Sequence, residues 1–266
     1  MTPFLGDCRL CLKPDIELQE SHIIPKWAFK RLRAEVSTNN PYPVVVKDGQ
    51  AVQTSKQITE NMLCVSCEQM IGSSENYVAK LAYGTDGEPI PLTMLGISTS
   101  ATDKGIGSEY TSVANLDTIK ITYFASSLVW RASVAHRHYT GKPRIGQRYQ
   151  EELRTYLCGF SSFPKNARMI MGILVQPPDA PHPRHNIISF PATGRYGGYH
   201  RHAFFICGLY FELCIGSQMP KYLDSICLHY GTEKIALLFQ PQEFGLIRNI
   251  EEIARSARVR GKLKVR

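Results

Sequence analysis

Cys8-Arg-Leu-Cys11 and Cys64-Val-Ser-Cys67 are two Cys-x-x-Cys pairs separated by 52 residues, and together they hold half of the eight cysteines. Such a pair turns the chain tightly enough for both sulfurs to face one ion. Two pairs complete a closed tetrahedral four-cysteine set, the arrangement of structural zinc. Two disulfides or two redox pairs are the other readings. The start, Met1-Thr-Pro-Phe-Leu-Gly-Asp7, has neither the basic segment nor the long apolar run of a secretory leader. A cytoplasmic location with reduced thiols is therefore expected, which favours metal over disulfide. The expectation is one structural Zn2+ on Cys8, Cys11, Cys64 and Cys67.

Between the pairs lies Glu20-Ser-His-Ile-Ile-Pro-Lys26, and the second pair reads Asn61-Met-Leu-Cys64-Val-Ser-Cys67-Glu68. This order, over roughly residues 5–84, resembles the His-Asn-His (HNH) endonucleases, ββα-metal nucleases often built on a treble-clef zinc scaffold. The resemblance implies a general base at His22 and an orienting residue at Asn61. It also implies a catalytic Mg2+ or Mn2+ held near the second pair by Glu68, with Glu75 and Glu20 as further candidates. A histidine suits the base because its ordinary pKa lies near neutrality; a carboxylate suits a hard cation. Two positions depart from the family pattern. Ser21 stands where many members carry an acidic residue, and Glu68 stands where the last histidine is usual. The resemblance implies DNA as the substrate, and extra domains on small HNH proteins are common in bacterial phage-defence effectors. A zinc-stabilised module that binds nucleic acid or protein without catalysis is the alternative.

The elements that must carry these residues follow from pattern. Residues 5–25 predict the first knuckle and a β-hairpin that ends at Pro25, which cannot donate to a ladder. Alternation places Glu20 and His22 on one face and Ser21 on the other. Residues 27–33 read as a short helix. Val44 to Val52 around Asp48-Gly49 reads as an inserted hairpin that needs a partner surface. Gly72 to Tyr83 reads as a helix capped by Ser73 or Ser74. Residues 98–112, rich in Ser, Thr and Gly, mark a boundary, giving a zinc module over 1–89 and a second domain over 90–266. The fold class is α+β: an N-terminal treble-clef ββα-metal module, then a mixed domain of helices and an antiparallel sheet.

In that second domain Asp117–Tyr139 has helical apolar spacing with Asp117 as N-cap, and a second helix spans Gln147–Leu157. Strand signals cover 169–175, 187–190, 203–215 and 235–239. Asn249-Ile-Glu-Glu252 is a capping-box pattern opening a helix into a basic tail.

Charge is uneven. Residues 1–89 hold nine Lys and Arg against eleven Asp and Glu, and the remainder twenty-two against twelve, so a net −2 faces a net +10. Attraction to a polyanion is expected from the later part. Lys26, Arg131, Arg137 and Arg201 are the candidate nucleic-acid contacts, the last in an aromatic-basic loop with Tyr196, Tyr199 and His200. His200 and His202, two apart on a strand, share a face and are a weaker metal candidate; Cys207 and Cys214 read as core. A protein partner or a second copy of this chain stays open. No apolar run approaches the ~20 residues of a membrane span, and no membrane partner is expected.

Overall fold

The computed structural model describes residues 3–34, 44–47, 50–54, 56–83, 108–112, 116–136, 143–174, 187–228, 234–238 and 258–260. These form an α+β structure with four α-helices. The N-terminal sheet has order β1 (Leu5–Gly6), β2 (Ile16–His22), β5 (Thr59–Cys64), all antiparallel. One register shift falls where Gln19 and Glu20 of β2 face Leu63 and Asn61 of β5. Met62 is thereby skipped, and its carbonyl accepts instead from the Arg9 N–H at 3.0 Å. The bulge thus fastens the first knuckle to the strand that leads into the second.

The short helix α1 (Lys26–Ala34) follows β2 directly. α2 runs unbroken over Val65–Tyr83, so it starts inside the second knuckle and not at Gly72. Ser73 and Ser74 are interior residues, not caps. Cys67, Ile71, Ser74, Val78 and Ala82 are buried along it, a helical stripe whose packing outweighs the ~1 kcal/mol that an interior glycine costs relative to alanine. The inserted hairpin forms as expected, β3 (Val44–Lys47) with β4 (Gln50–Gln53). Its partner surface is the basic tail: Arg258–Arg260 (β12) pairs parallel with β4. The expected tail helix from Asn249 otherwise lies outside the described residues.

α3 (Thr118–Val134) starts as predicted, with the Asp117 carboxylate accepting from the Lys120 N–H at 2.9 Å. It stops at Val134, short of the expected Tyr139. Ala135 leaves the helix with extended backbone while its N–H still bonds the Arg131 carbonyl. Residues 121–133 of α3 are buried except Tyr123, which makes α3 the central rod of the molecule. Phe124 shows why: its ring meets Trp27 of α1 at 6.4 Å and Phe211 of the large sheet at 5.5 Å. α4 spans Gln147–Leu157, as expected.

The large sheet has the order β6 (Ser108–Ser112), β11 (Lys234–Leu238), β7 (Ala167–Leu174), β10 (Leu209–Gly216), β9 (Tyr199–Ile206), β8 (Ala192–Tyr196). It is antiparallel except that β11 runs parallel to β7, a correction to the wholly antiparallel expectation. The predicted strand over 203–215 is a hairpin. Cys207 and Gly208 carry φ of 49° and 83°, a two-residue turn of the type that matches strand twist. No helix among the described residues is long and apolar enough to cross a membrane.

One apolar core reaches from Cys8 and Leu63 through α3 to Phe211 and Leu228. The boundary at 89/90 lies outside the described residues, and the parts on its two sides share this core. The opposite face of the sheet carries a buried ion pair. Glu212, 2 % exposed, accepts from Arg201 Nε at 2.5 Å and from Arg201 Nη2, the Tyr210 hydroxyl and the Cys214 thiol. Burial first, then this carboxylate, holds the Tyr210 phenol far above its usual range. Removing one member of a buried pair strands the others, so Glu212→Ala should lose about 3–5 kcal/mol of stability. Urea denaturation checks this; a loss below about 1 kcal/mol would mean that Arg201 is effectively solvated.

Candidate functional site

The four knuckle cysteines converge as their spacing predicts. Leu12, at φ 61°, turns the chain after Cys11, and the Leu12 N–H closes onto the Cys8 carbonyl at 2.8 Å. The four sulfurs lie within 4.8 Å of one another, and Cys11 Sγ is 3.8 Å from Cys64 Sγ. With metal–sulfur bonds of ~2.3 Å, a tetrahedron has edges of about 3.8 Å; a disulfide would need ~2.05 Å. All eight cysteines are free thiols. The Cys64 N–H points at Cys8 Sγ. The Cys8 thiol is pushed down to about 4, chiefly by the hydrogen bond from Cys67, and the same contact pushes Cys67 up. The donor set and its spacing fit one tetrahedral ion such as zinc. Among the described residues this is the one cluster of three or more His, Cys, Asp or Glu side chains close enough to share an ion.

The second candidate centre is built on β2, β5 and α2, two antiparallel strands followed by a helix. His22 is the last residue of β2 and pairs with Thr59; Glu20 pairs with Asn61. Opposed residues share a face, so His22, Glu20, Thr59 and Asn61 stand together, with Asn61 diagonal to His22 at a spacing of about 7–8 Å. Thr59 Oγ1 donates to Glu20 at 2.8 Å. Ser21 points the other way, fully buried, and its hydroxyl donates to Glu68. The two positions that depart from the family pattern are thus hydrogen-bonded to each other. Because α2 is continuous through Gly72, Glu68 and Glu75 lie two turns apart on one face.

Glu75, the further candidate for the cation, is engaged elsewhere: its Oε1 is 2.5 Å from Nη2 of Arg131. Arg131 is not a nucleic-acid contact. It is 1 % exposed, and its Nη1 donates to the His22 carbonyl at 2.8 Å. Arg201 lies on β9, with Nε and Nη2 committed to Glu212 and its guanidinium 4.6 Å from the Tyr196 ring centroid. Lys26 is exposed at the first residue of α1. Arg137 lies outside the described residues. His200 and His202 do share a face, with near-parallel rings 6.4 Å apart. His202 is pushed down to about 4, by burial and then by His200, and hydrogen-bonds Thr193 at 2.9 Å.

No family model matches this chain, and neither curated proteins nor solved structures give a significant match.

Three arginines were not expected to join the two parts. Arg9, beside the first knuckle cysteine, donates to the Val134 carbonyl at 2.8 Å and pairs with Glu60, which also accepts from the His136 N–H. Arg154 of α4 donates to the Leu10 carbonyl, inside the first knuckle, at 2.7 Å. Arg131 makes the third link. Its signal was present in the sequence. Phe124, Leu128, Arg131 and Ala135 follow core spacing on α3, and a lone charge on such a face requires a buried partner.

Proposed function

We propose that the chain is a metal-dependent endonuclease of the HNH type that hydrolyses phosphodiester bonds in DNA, with a zinc ion in a treble-clef-like four-cysteine cage holding the strands in place. The observation that carries this reading is the strand–strand–helix frame, with His22 at the end of β2, Asn61 on the same face of β5 and Glu68 in the first turn of α2. The Ser21–Glu68 contact ties that turn to the residue next to His22. The half-exposed His22 imidazole accepts a proton from an attacking water at a ring nitrogen. Asn61, on the same face, orients that ring. A divalent cation would be held by the Glu68 carboxylate, with waters and the phosphate as its other ligands, the usual pattern for Mg2+; when bound it supplies charge neutralisation at the phosphate. Ser21 fixes the carboxylate rotamer by donating to it.

Incubation of purified protein with plasmid DNA and Mg2+ or Mn2+ tests the reading; absence of cleavage of double-stranded DNA, single-stranded DNA and RNA with either ion overturns it. Glu68→Ala should lower cleavage at limiting Mn2+ and recover part of it as Mn2+ is raised, because the lesion is in cation affinity. A titration in which added Mn2+ restores nothing would remove Glu68 from that role.

A second reading has its own support. Arg131 captures Glu75, Ser21 stands where many HNH members carry a carboxylate, and Glu20 already accepts from Thr59, which suits a zinc-stabilised module that binds nucleic acid or protein without cutting. Metal-independent DNA retention without cleavage is the result that would select it.

A further inference from the structure

Arg131 carries more than a link between elements. A fully buried guanidinium is costly unless each donor is matched, and an apolar pair of similar volume is often as stable or more so. Here the match is incomplete: Nη2 meets Glu75 and Nη1 meets the His22 carbonyl, while Nε has no acceptor among the described residues. Stability alone gives little reason for a cation at this point of an apolar helix.

The two contacts define a geometry. The His22 carbonyl is the last of β2, just before Pro25 and α1 take the chain away. Glu75 stands on α2 two turns beyond Glu68, on the same face. One planar group, rooted in α3, therefore sets the spacing between the strand end that carries His22 and the helix that carries Glu68. We infer that Arg131 is the positioning residue of this centre: from the later part of the chain it ties the His22 main chain to Glu75 of α2, and so fixes where the end of β2, and with it the imidazole, stands relative to the helix that carries Glu68. The catalytic half of this inference rests on the endonuclease reading; the placement of His22 does not. Arginine is suited to the task because its rigid fork engages two acceptors at once, which the single ammonium of lysine does not reproduce.

The test uses the full chain and two variants. Arg131→Met/Glu75→Leu replaces the ion pair by apolar groups, and Arg131→Lys keeps the charge without the fork. Metal content of the four-cysteine cage and the melting temperature report the fold; kcat, KM and the imidazole resonances of His22 in histidine-labelled protein report the site. Both variants should keep the metal, lower kcat by about 10- to 100-fold with KM unchanged, as expected for a misplaced catalytic group, and shift the His22 resonances. Wild-type kcat and unshifted resonances in a folded variant would overturn the inference. If the double variant does not fold, Arg131→Lys decides alone. If the wild type cleaves nothing, the endonuclease reading fails, while the resonances still decide whether Arg131 places His22.

Discussion

Cys64→Ser should unfold both sides of the molecule together. Cys64 is buried, its sulfur lies 3.8 Å from that of Cys11, and its N–H points at Cys8. Serine cannot complete a thiolate cage, and the binding free energy of a structural zinc, about 10–16 kcal/mol in isolated zinc modules, is folding free energy. That exceeds the ~5–15 kcal/mol by which a typical domain is stable. The effect should not stop at residue 84. The cage carries Leu10, whose carbonyl anchors Arg154 of α4, and Arg9, which anchors the end of α3. Cys8, Leu63, Phe124 and Phe211 belong to one core. The two tryptophans report each side: Trp27 on α1 and the buried Trp130 on α3. In Trp27→Phe protein, the Trp130 emission should shift to the red on adding Cys64→Ser, or on stripping metal from the four-cysteine cage with a chelator. Native Trp130 emission in that protein, with red-shifted Trp27 emission in the matching Trp130→Phe protein, would show that the later part folds independently. Freshly purified protein without stoichiometric zinc would remove the premise.

What the sequence disclosed and what it concealed divide along a physical line. Local signals read well: both knuckles, the ends of α4, the Asp117 cap and the β3–β4 hairpin depend on residues close in sequence, while β2 stops at His22, short of Pro25. Gly72 misled because interior glycine disfavours a helix by an amount that the buried stripe from Cys67 to Ala82 overrides. Cys207-Gly208 was hidden within an apolar run, since nothing in the types of its neighbours marks a turn. The candidate site was legible as residue types but not as pairings. Ser21 with Glu68, Glu75 with Arg131 and Glu60 with Arg9 span 47, 56 and 51 positions, and no periodicity reaches that far. Net charge says nothing of pairing: Arg131 and Arg201, counted among the basic residues, are bound to Glu75 and Glu212.

On the endonuclease reading, His22→Ala should abolish cleavage while leaving the fold intact. The group that Arg131 holds is the main-chain carbonyl of residue 22, which alanine retains. The strand pairing of His22 with Thr59 is likewise main-chain. The imidazole is half-exposed, so its removal opens no large cavity. Metal content of the cysteine cage and melting temperature should therefore match the wild type. The chemical loss should be large, because a positioned general base contributes about 10²–10⁴-fold in rate, and no other histidine among the described residues lies on β2, β5 or α2. Raised Mn2+ should not restore the variant, since the missing group moves a proton and does not hold the cation; this separates it from Glu68→Ala. Single-turnover cleavage of labelled DNA across a range of Mn2+ concentrations measures the difference. Cleavage by His22→Ala at the wild-type rate would place the chemistry elsewhere in the chain. Recovery by Mn2+ alone would instead make His22 a cation ligand, with the proton going directly to solvent.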